Sequence, residues 1–237
     1  MLCDLFSQRP DVELVIALDK EPIPEMLRGN QKIRWIRANT ADTSWCEIVA
    51  GDDPVLVIHA AWQIREMYGK PALQREWNVA GADIVFDFAF RAPSVKRLVY
   101  FSTVASYGAQ ADNTIDHRFK EDEGFRPSDL RYAEEKRIVE ENLELKFAQA
   151  RKNESDVTVA VIRPVAITGP RGRFQPGHFR LQTALSGQTN GHAIHRLVSL
   201  MVSFLPVTPK WSRQFIHEDD FADIAALLSF GDLKARY

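Results

Sequence analysis

Tyr132 and Lys136 stand four residues apart in Arg131-Tyr132-Ala133-Glu134-Glu135-Lys136. On a helix this spacing puts both side chains on one face, one turn from each other. A phenol is protonated at neutral pH, with a pKa of about 10. An ammonium beside it favours the phenolate, so Lys136 is expected to lower the Tyr132 value. Such a tyrosine takes a proton from a substrate hydroxyl or returns one to a carbonyl. Alone the pair is a weak signal, because Tyr-x-x-x-Lys arises by chance on many amphipathic helices. Upstream, Leu98-Val99-Tyr100-Phe101 is a short apolar run of the kind that forms a buried strand. It leads into Ser102-Thr103-Val104-Ala105-Ser106-Tyr107-Gly108. A hydroxyl at a strand's carboxyl end, ahead of a helix bearing Tyr and Lys, is a catalytic arrangement. The hydroxyl bonds the substrate oxygen, the Tyr moves the proton, and the Lys sets the charge of the Tyr.

These residues resemble the extended short-chain dehydrogenase/reductase family, the NAD-dependent epimerase/dehydratase group. Four more segments carry the resemblance in family order. They are His59-Ala60-Ala61-Trp62, Asn78-Val79-Ala80-Gly81, Arg163-Pro164 through Gly169-Pro170, and Arg213-Gln214-Phe215-Ile216-His217 through Asp220. The resemblance implies Thr103 as the catalytic hydroxyl, Tyr132 as acid and base, and Lys136 as activator. Ser102 is the adjacent alternative and a substrate contact. NAD is the implied cofactor, touched by Asn39, Ala60, Ala61, Tyr132, Lys136, Pro164 and Val165. Arg213 is implied to grip the diphosphate of a nucleotide sugar, for which a two-pronged guanidinium is suited. Asn78 is expected to tie its helix to the active-site strand. Trp62 either lines the pocket or covers the core, and His59 is expected to be a hydrogen-bonded structural histidine.

The elements that position these groups can be read along the chain. Leu2 to Phe6 ends a helix before Pro10. Glu13 to Leu18 and Ile33 to Arg37 read as strands, with a short helix over Ala41 to Ala50. Asp19, closing the first of these strands, suits the ribose hydroxyls of an adenosine and favours NAD over NADP. Pro54 to Ile58 is a continuous apolar run, as in a strand covered on both faces. A helix runs through Phe90, and Asp156 to Ile162 is a further strand. Val139, Leu143 and Phe147 continue the stripe of the Tyr132 helix, with the charges around them on a solvated face. Ala109 to Arg131 reads as a mobile loop bordering the substrate. Asp219 or Asp220 is expected to cap the helix through Leu228. A dinucleotide site should open with a strand, a glycine-rich turn and a helix. The first glycine here is Gly29, so that strand and fingerprint are absent, and a truncated reading frame is expected.

Composition excludes some function classes. The chain has 237 residues, 45% hydrophobic and 26% charged, with a net charge of −2. That is ordinary for a soluble globular protein and makes no electrostatic case for nucleic acid or an anionic membrane. Cys3 and Cys46 lack metal spacing, so no metal is expected. The apolar stretch from Leu197 to Val207 is too short to span a bilayer. A cytoplasmic protein is expected, with a homodimer implied by the family.

The fold class expected is α/β: a Rossmann-like doubly wound parallel sheet lacking its usual first strand and glycine-rich loop, with a partial substrate lobe. Residues 1–170 would be the dinucleotide-binding domain, 171–212 the lobe, and 213–237 a return strand and helix. The expected function is an NAD(H)-dependent epimerase, dehydratase or oxidoreductase for a nucleotide-sugar-like substrate. One alternative is a steroid- or carbonyl-type dehydrogenase of the same family. Another is a non-catalytic dinucleotide sensor or an inactive truncated remnant.

Overall fold

Strand Arg97–Phe101 has an apolar centre because it is covered from both sides. In the computed structural model, which describes residues 1–108, 110, 113–114, 116–170 and 214–232, Leu98, Val99 and Tyr100 are all fully buried. Side chains alternate across a strand. Leu98 and Tyr100 join one hydrophobic cluster with Phe86, Ala82, Val139 and Leu143. Val99 and Phe101 face another, with Phe221, Ala225, Met1 and Leu2. Helices therefore lie on both faces, and the fold is a Rossmann-like α/β arrangement.

In chain order the elements are α1 (Leu2–Ser7), β1 (Val15–Asp19), β2 (Ile33–Arg37), α2 (Ser44–Ala50), β3 (Leu56–His59), α3 (Pro71–Arg75), α4 (Gly81–Arg91), β4 (Arg97–Phe101), α5 (Arg131–Lys152), β5 (Thr158–Ile162), β6 (Ala166–Thr168), β7 (Phe215–His217) and α6 (Glu218–Phe230). A π-helical turn, Glu76–Ala80, joins α3 to α4, and a 3₁₀ turn, Val104–Tyr107, follows β4. All strand pairs are parallel. β3, β4 and β5 form one ladder in that order. β1 and β2 form a second, β6 and β7 a third. Among the described residues no ladder joins β1 to β3. Ile16, Leu18 and Ile36 still pack on the main cluster, so apolar contact holds the two ladders together where hydrogen bonds do not.

Two boundaries differ from the sequence reading, each for a local reason. The helix expected from Ala41 begins at Ser44, because Asn39 and Asp42 accept from the amides of Ala41 and Ser44 and hold the chain in turns. The cap of α6 is His217, whose Nδ1 accepts from the Asp219 amide at 3.2 Å, and not Asp219 or Asp220. Those two acids sit in the first turn, where the positive end of the helix dipole favours them. Gly81 is needed for a close approach: a Cβ there would lie 2.5 Å from the Thr40 hydroxyl. The expected lobe of 171–212 and the substrate contact Arg213 lie outside the described residues. No helix of the described residues is long and apolar enough to cross a membrane.

Candidate active site

Because the strands run parallel, the residues that follow them collect at one edge. Ser102 and Thr103 follow β4 and point to different surroundings. The Ser102 hydroxyl is buried, 3.4 Å from that of Ser106, and its amide donates to Ile162 in β5. Thr103 Oγ1 accepts from the Ala105 amide at 3.2 Å, which leaves its proton free to donate. The phenol of Tyr132 lies near enough for this hydroxyl to favour its ionised form. The Val104 amide donates to the carbonyl of Pro164, so the segment after β5 lies against the same corner.

α5 delivers Tyr132 from its first turn and Lys136 from the second. Burial raises the Tyr132 phenol above its ordinary value, and the nearby Thr103 hydroxyl acts the other way. The lowering expected from Lys136 is not what this arrangement produces. The Lys136 Nζ donates to the Phe101 carbonyl at 2.5 Å and lies 3.8 Å from the centre of the Trp62 ring and 4.9 Å from that of Tyr100. Burial brings the amine down to about 7, opposed by the charge of Glu140. A lysine so dried transfers protons near neutral pH, where an ordinary one does not.

Trp62 covers the core as one of its two expected roles had it, packing against the main hydrophobic cluster, and it also covers Lys136 and stands edge-on to Tyr132 at 6.4 Å, with its Nε1 buried and unpartnered. His59 differs from expectation. It stacks on Tyr100 at 5.6 Å, its Nε2 meets no partner, and burial lowers it to about 3, so it is a neutral ring. Asn78 does not bond the active-site strand as expected: its side chain bonds the backbone of Gln63, after β3, and the carboxyl of Glu135 on α5.

Glu140 corrects the reading of the charges beyond Lys136 as a solvated face. It is 1% exposed, because Arg163 after β5 supplies the opposing charge: the guanidinium Nε donates to it at 2.5 Å. Arg163 also donates to the Tyr107 hydroxyl at 2.7 Å and packs on the rings of Tyr107 and Phe125. Tyr107 stacks on Phe119, and the described part of the 109–131 loop is thus held by ring contacts. Neither Glu135 nor Glu140 was visible in the sequence as a site residue. No local signal marked them, because their partners Asn78 and Arg163 lie far off in sequence.

The outer rim holds the remaining positions. The Asp19 carboxylate is exposed and accepts from the Glu21 amide, which leaves its other oxygen toward solvent. Asn39 is half-buried and engaged with Ala41. Ala60 and Ala61 are exposed, and Pro164 and Val165 are half-buried. The acid that closes β1 and the small residues after β3 are thus open to solvent. Among the described residues no cluster of His, Cys, Asp and Glu could hold a metal ion.

A model of the NAD dependent epimerase/dehydratase family matches residues 1–230. The chain belongs to that family. Among curated proteins, uncharacterised proteins of Mycobacterium tuberculosis and Mycobacterium bovis are 31% identical over 122 residues, 51% of this chain and 32% of theirs. The chain thus spans about a third of the length of those relatives. Solved structures match in fold over nearly the whole chain. The Bordetella bronchiseptica enzyme WbmG in complex with NAD gives a TM-score of 0.69 at 22% identity, covering 99% of this chain and 66% of that one. The dTDP-glucose 4,6-dehydratase of Bacillus anthracis, also with NAD, gives 0.67 at 16%, covering 98% and 68%. The UDP-N-acetylglucosamine 4-epimerase of Methanobrevibacter ruminantium gives 0.66 at 19%, covering 93% and 66%.

Proposed function

We propose that this family member handles the proton in an NAD(H)-linked epimerase, dehydratase or oxidoreductase reaction on a nucleotide-sugar-like substrate. The reading is carried by a Thr103 hydroxyl near enough to the Tyr132 phenol to favour its ionised form, on a helix whose next turn holds the buried Lys136. Thr103 orients the substrate hydroxyl. Tyr132 exchanges a proton with it. Lys136 supplies the charge that shifts Tyr132 toward phenolate once substrate opens the contact with Phe101. As it stands the phenol is protonated, so the pair is set to donate to a carbonyl oxygen. NAD, when bound, accepts or returns the hydride. The residues that would hold it are Asp19, Asn39, Ala60, Ala61, Tyr132, Lys136, Pro164 and Val165. The nucleotide sugars named with several fold neighbours support the substrate class, and the same class would use Ser102 and Arg213.

The test compares the chain with Tyr132→Phe, supplying NAD and a panel of nucleotide sugars and hydrophobic ketones. Turnover is expected with the sugars and is expected to fall by about 10²–10⁴-fold in the variant, the usual range for a lost acid–base group. Titration with NADH, followed by its fluorescence, should show cofactor binding largely in place in the variant. Undiminished turnover by Tyr132→Phe removes the mechanism. The other outcome this test can return is a non-catalytic dinucleotide sensor. Saturable NADH binding without turnover of any substrate in the panel would select it.

A further inference from the structure

A closed circuit of contacts runs beside the candidate site. Glu135 and Lys136 are consecutive on α5 and leave the helix toward the same segment by separate routes. The Glu135 Oε2 accepts from Asn78 Nδ2 at 2.7 Å. Asn78 Oδ1 accepts from the Gln63 amide at 2.8 Å, and its Nδ2 also donates to the Gln63 carbonyl at 3.2 Å. Gln63 follows Trp62, and the Trp62 ring returns to Lys136. Gln74 fastens the same segment farther on, accepting from the Met67 amide at 2.8 Å. Glu135, Asn78 and Gln74 are 2%, 1% and 3% exposed. A buried carboxyl is costly unless it is bonded, and here it bonds the side chain that grips the Trp62 segment. Asn78 sits in the π-helical turn, a backbone irregularity that often marks functional positions.

We propose that Glu135 is a positioning residue: acting through Asn78, it holds Trp62 over Lys136 and keeps that amine out of water. This rests on the reading of Tyr132 and Lys136 as the proton-handling pair. Several groups face Lys136: Glu140 from α5, His59 from β3, Tyr100 and the Phe101 carbonyl from β4, and Trp62 from the segment after β3. Of these, Trp62 alone belongs to a segment that Glu135 reaches through Asn78. Loosening that segment admits water to the amine without disturbing the strands.

Two readouts on the full chain test this without any need for turnover. One is a carbon-13 NMR titration of the Lys136 side chain. The other is hydrogen exchange at the Gln63 amide. The wild-type midpoint should lie near 7. Glu135→Ala should move it up toward the ordinary lysine value of about 10.4. It should also speed Gln63 exchange by at least about tenfold, as local opening does. Glu135→Gln keeps an oxygen for Asn78 and removes the charge, so it should retain both wild-type values. Asn78→Ala should reproduce Glu135→Ala, and serves if the latter does not fold. The proposal is overturned if Glu135→Ala and Asn78→Ala leave both readouts in place. It is equally overturned if Glu135→Gln moves them as far as Glu135→Ala, since charge and not the latch would then be responsible. Turnover retained by Tyr132→Phe would remove the proton-handling reading and leave these readouts unaffected.

Discussion

The β3–β4–β5 half of the molecule and the β1–β2 half are built to different densities. In the first, β4 is sealed between α4 and α5 on one face and α6 on the other, and its central residues are wholly buried. Titratable groups there are displaced far from their ordinary values: Lys136 to about 7 and His59 to about 3. In the second, β1 and β2 pair only with each other among the described residues, and most of their side chains are half-buried. Its candidate site residues, Asp19 and Asn39, bond neighbouring amides in turns. The half that would move protons is thus rigid and dry, and the half that would meet an adenosine is open and locally organised. Substitutions should be felt in that proportion.

The largest effect is expected for Glu140→Ala. It strips a buried partner from Arg163, and breaking such a pair typically costs about 3–5 kcal/mol. Urea unfolding should report the loss, and a change under about 1 kcal/mol would mean that the ion pair is not as dry as its burial indicates. Gly81→Val is next. Its side chain meets the Thr40 hydroxyl and the Ala41 backbone, and overpacking of this kind costs about 1–3 kcal/mol by the same measurement.

A smaller, pH-dependent effect follows from Lys136. Its folded value lies below the unfolded one, so between about pH 7 and about pH 10.5 the unfolded chain binds more protons. Stability should therefore rise with pH across that window, and Lys136→Met should flatten the rise in thermal unfolding scans. His59 acts in the same sense on the acid side. Its stabilising neutral form is fully present above about pH 6.5, and the contribution is lost as pH falls toward about 3. The smallest effect belongs to the open half. Asp19→Asn touches only a turn amide and should stay within about 0.5 kcal/mol in unfolding. Its effect, if the rim holds adenosine, would appear in NADH titration and not in stability.

Much of the architecture was legible because it is local. Continuous apolar runs such as Pro54 to Ile58 and Leu98 to Phe101 mark strands whatever surrounds them, and β1 to β5 fall where those runs lie. The Tyr132–Lys136 face follows from helical periodicity alone. What failed to show was each case in which a distant partner changes the meaning of a residue. Glu140 reads as solvated until Arg163 arrives from β5. Glu135 reads as one more surface acid until Asn78 arrives from the turn before α4. His59 reads as hydrogen-bonded until Phe86 and Tyr100 close around it.

The sequence by itself determined which segments extend, which coil, and that a hydroxyl, a phenol and an amine follow one another at spacings suited to proton transfer. Periodicity and strand ends suffice for that. Only the tertiary structure decided which hydroxyl reaches Tyr132, that Lys136 lies beneath Trp62, and which acids are buried. Those outcomes depend on desolvation and on partners brought from far along the chain, and no local pattern encodes either.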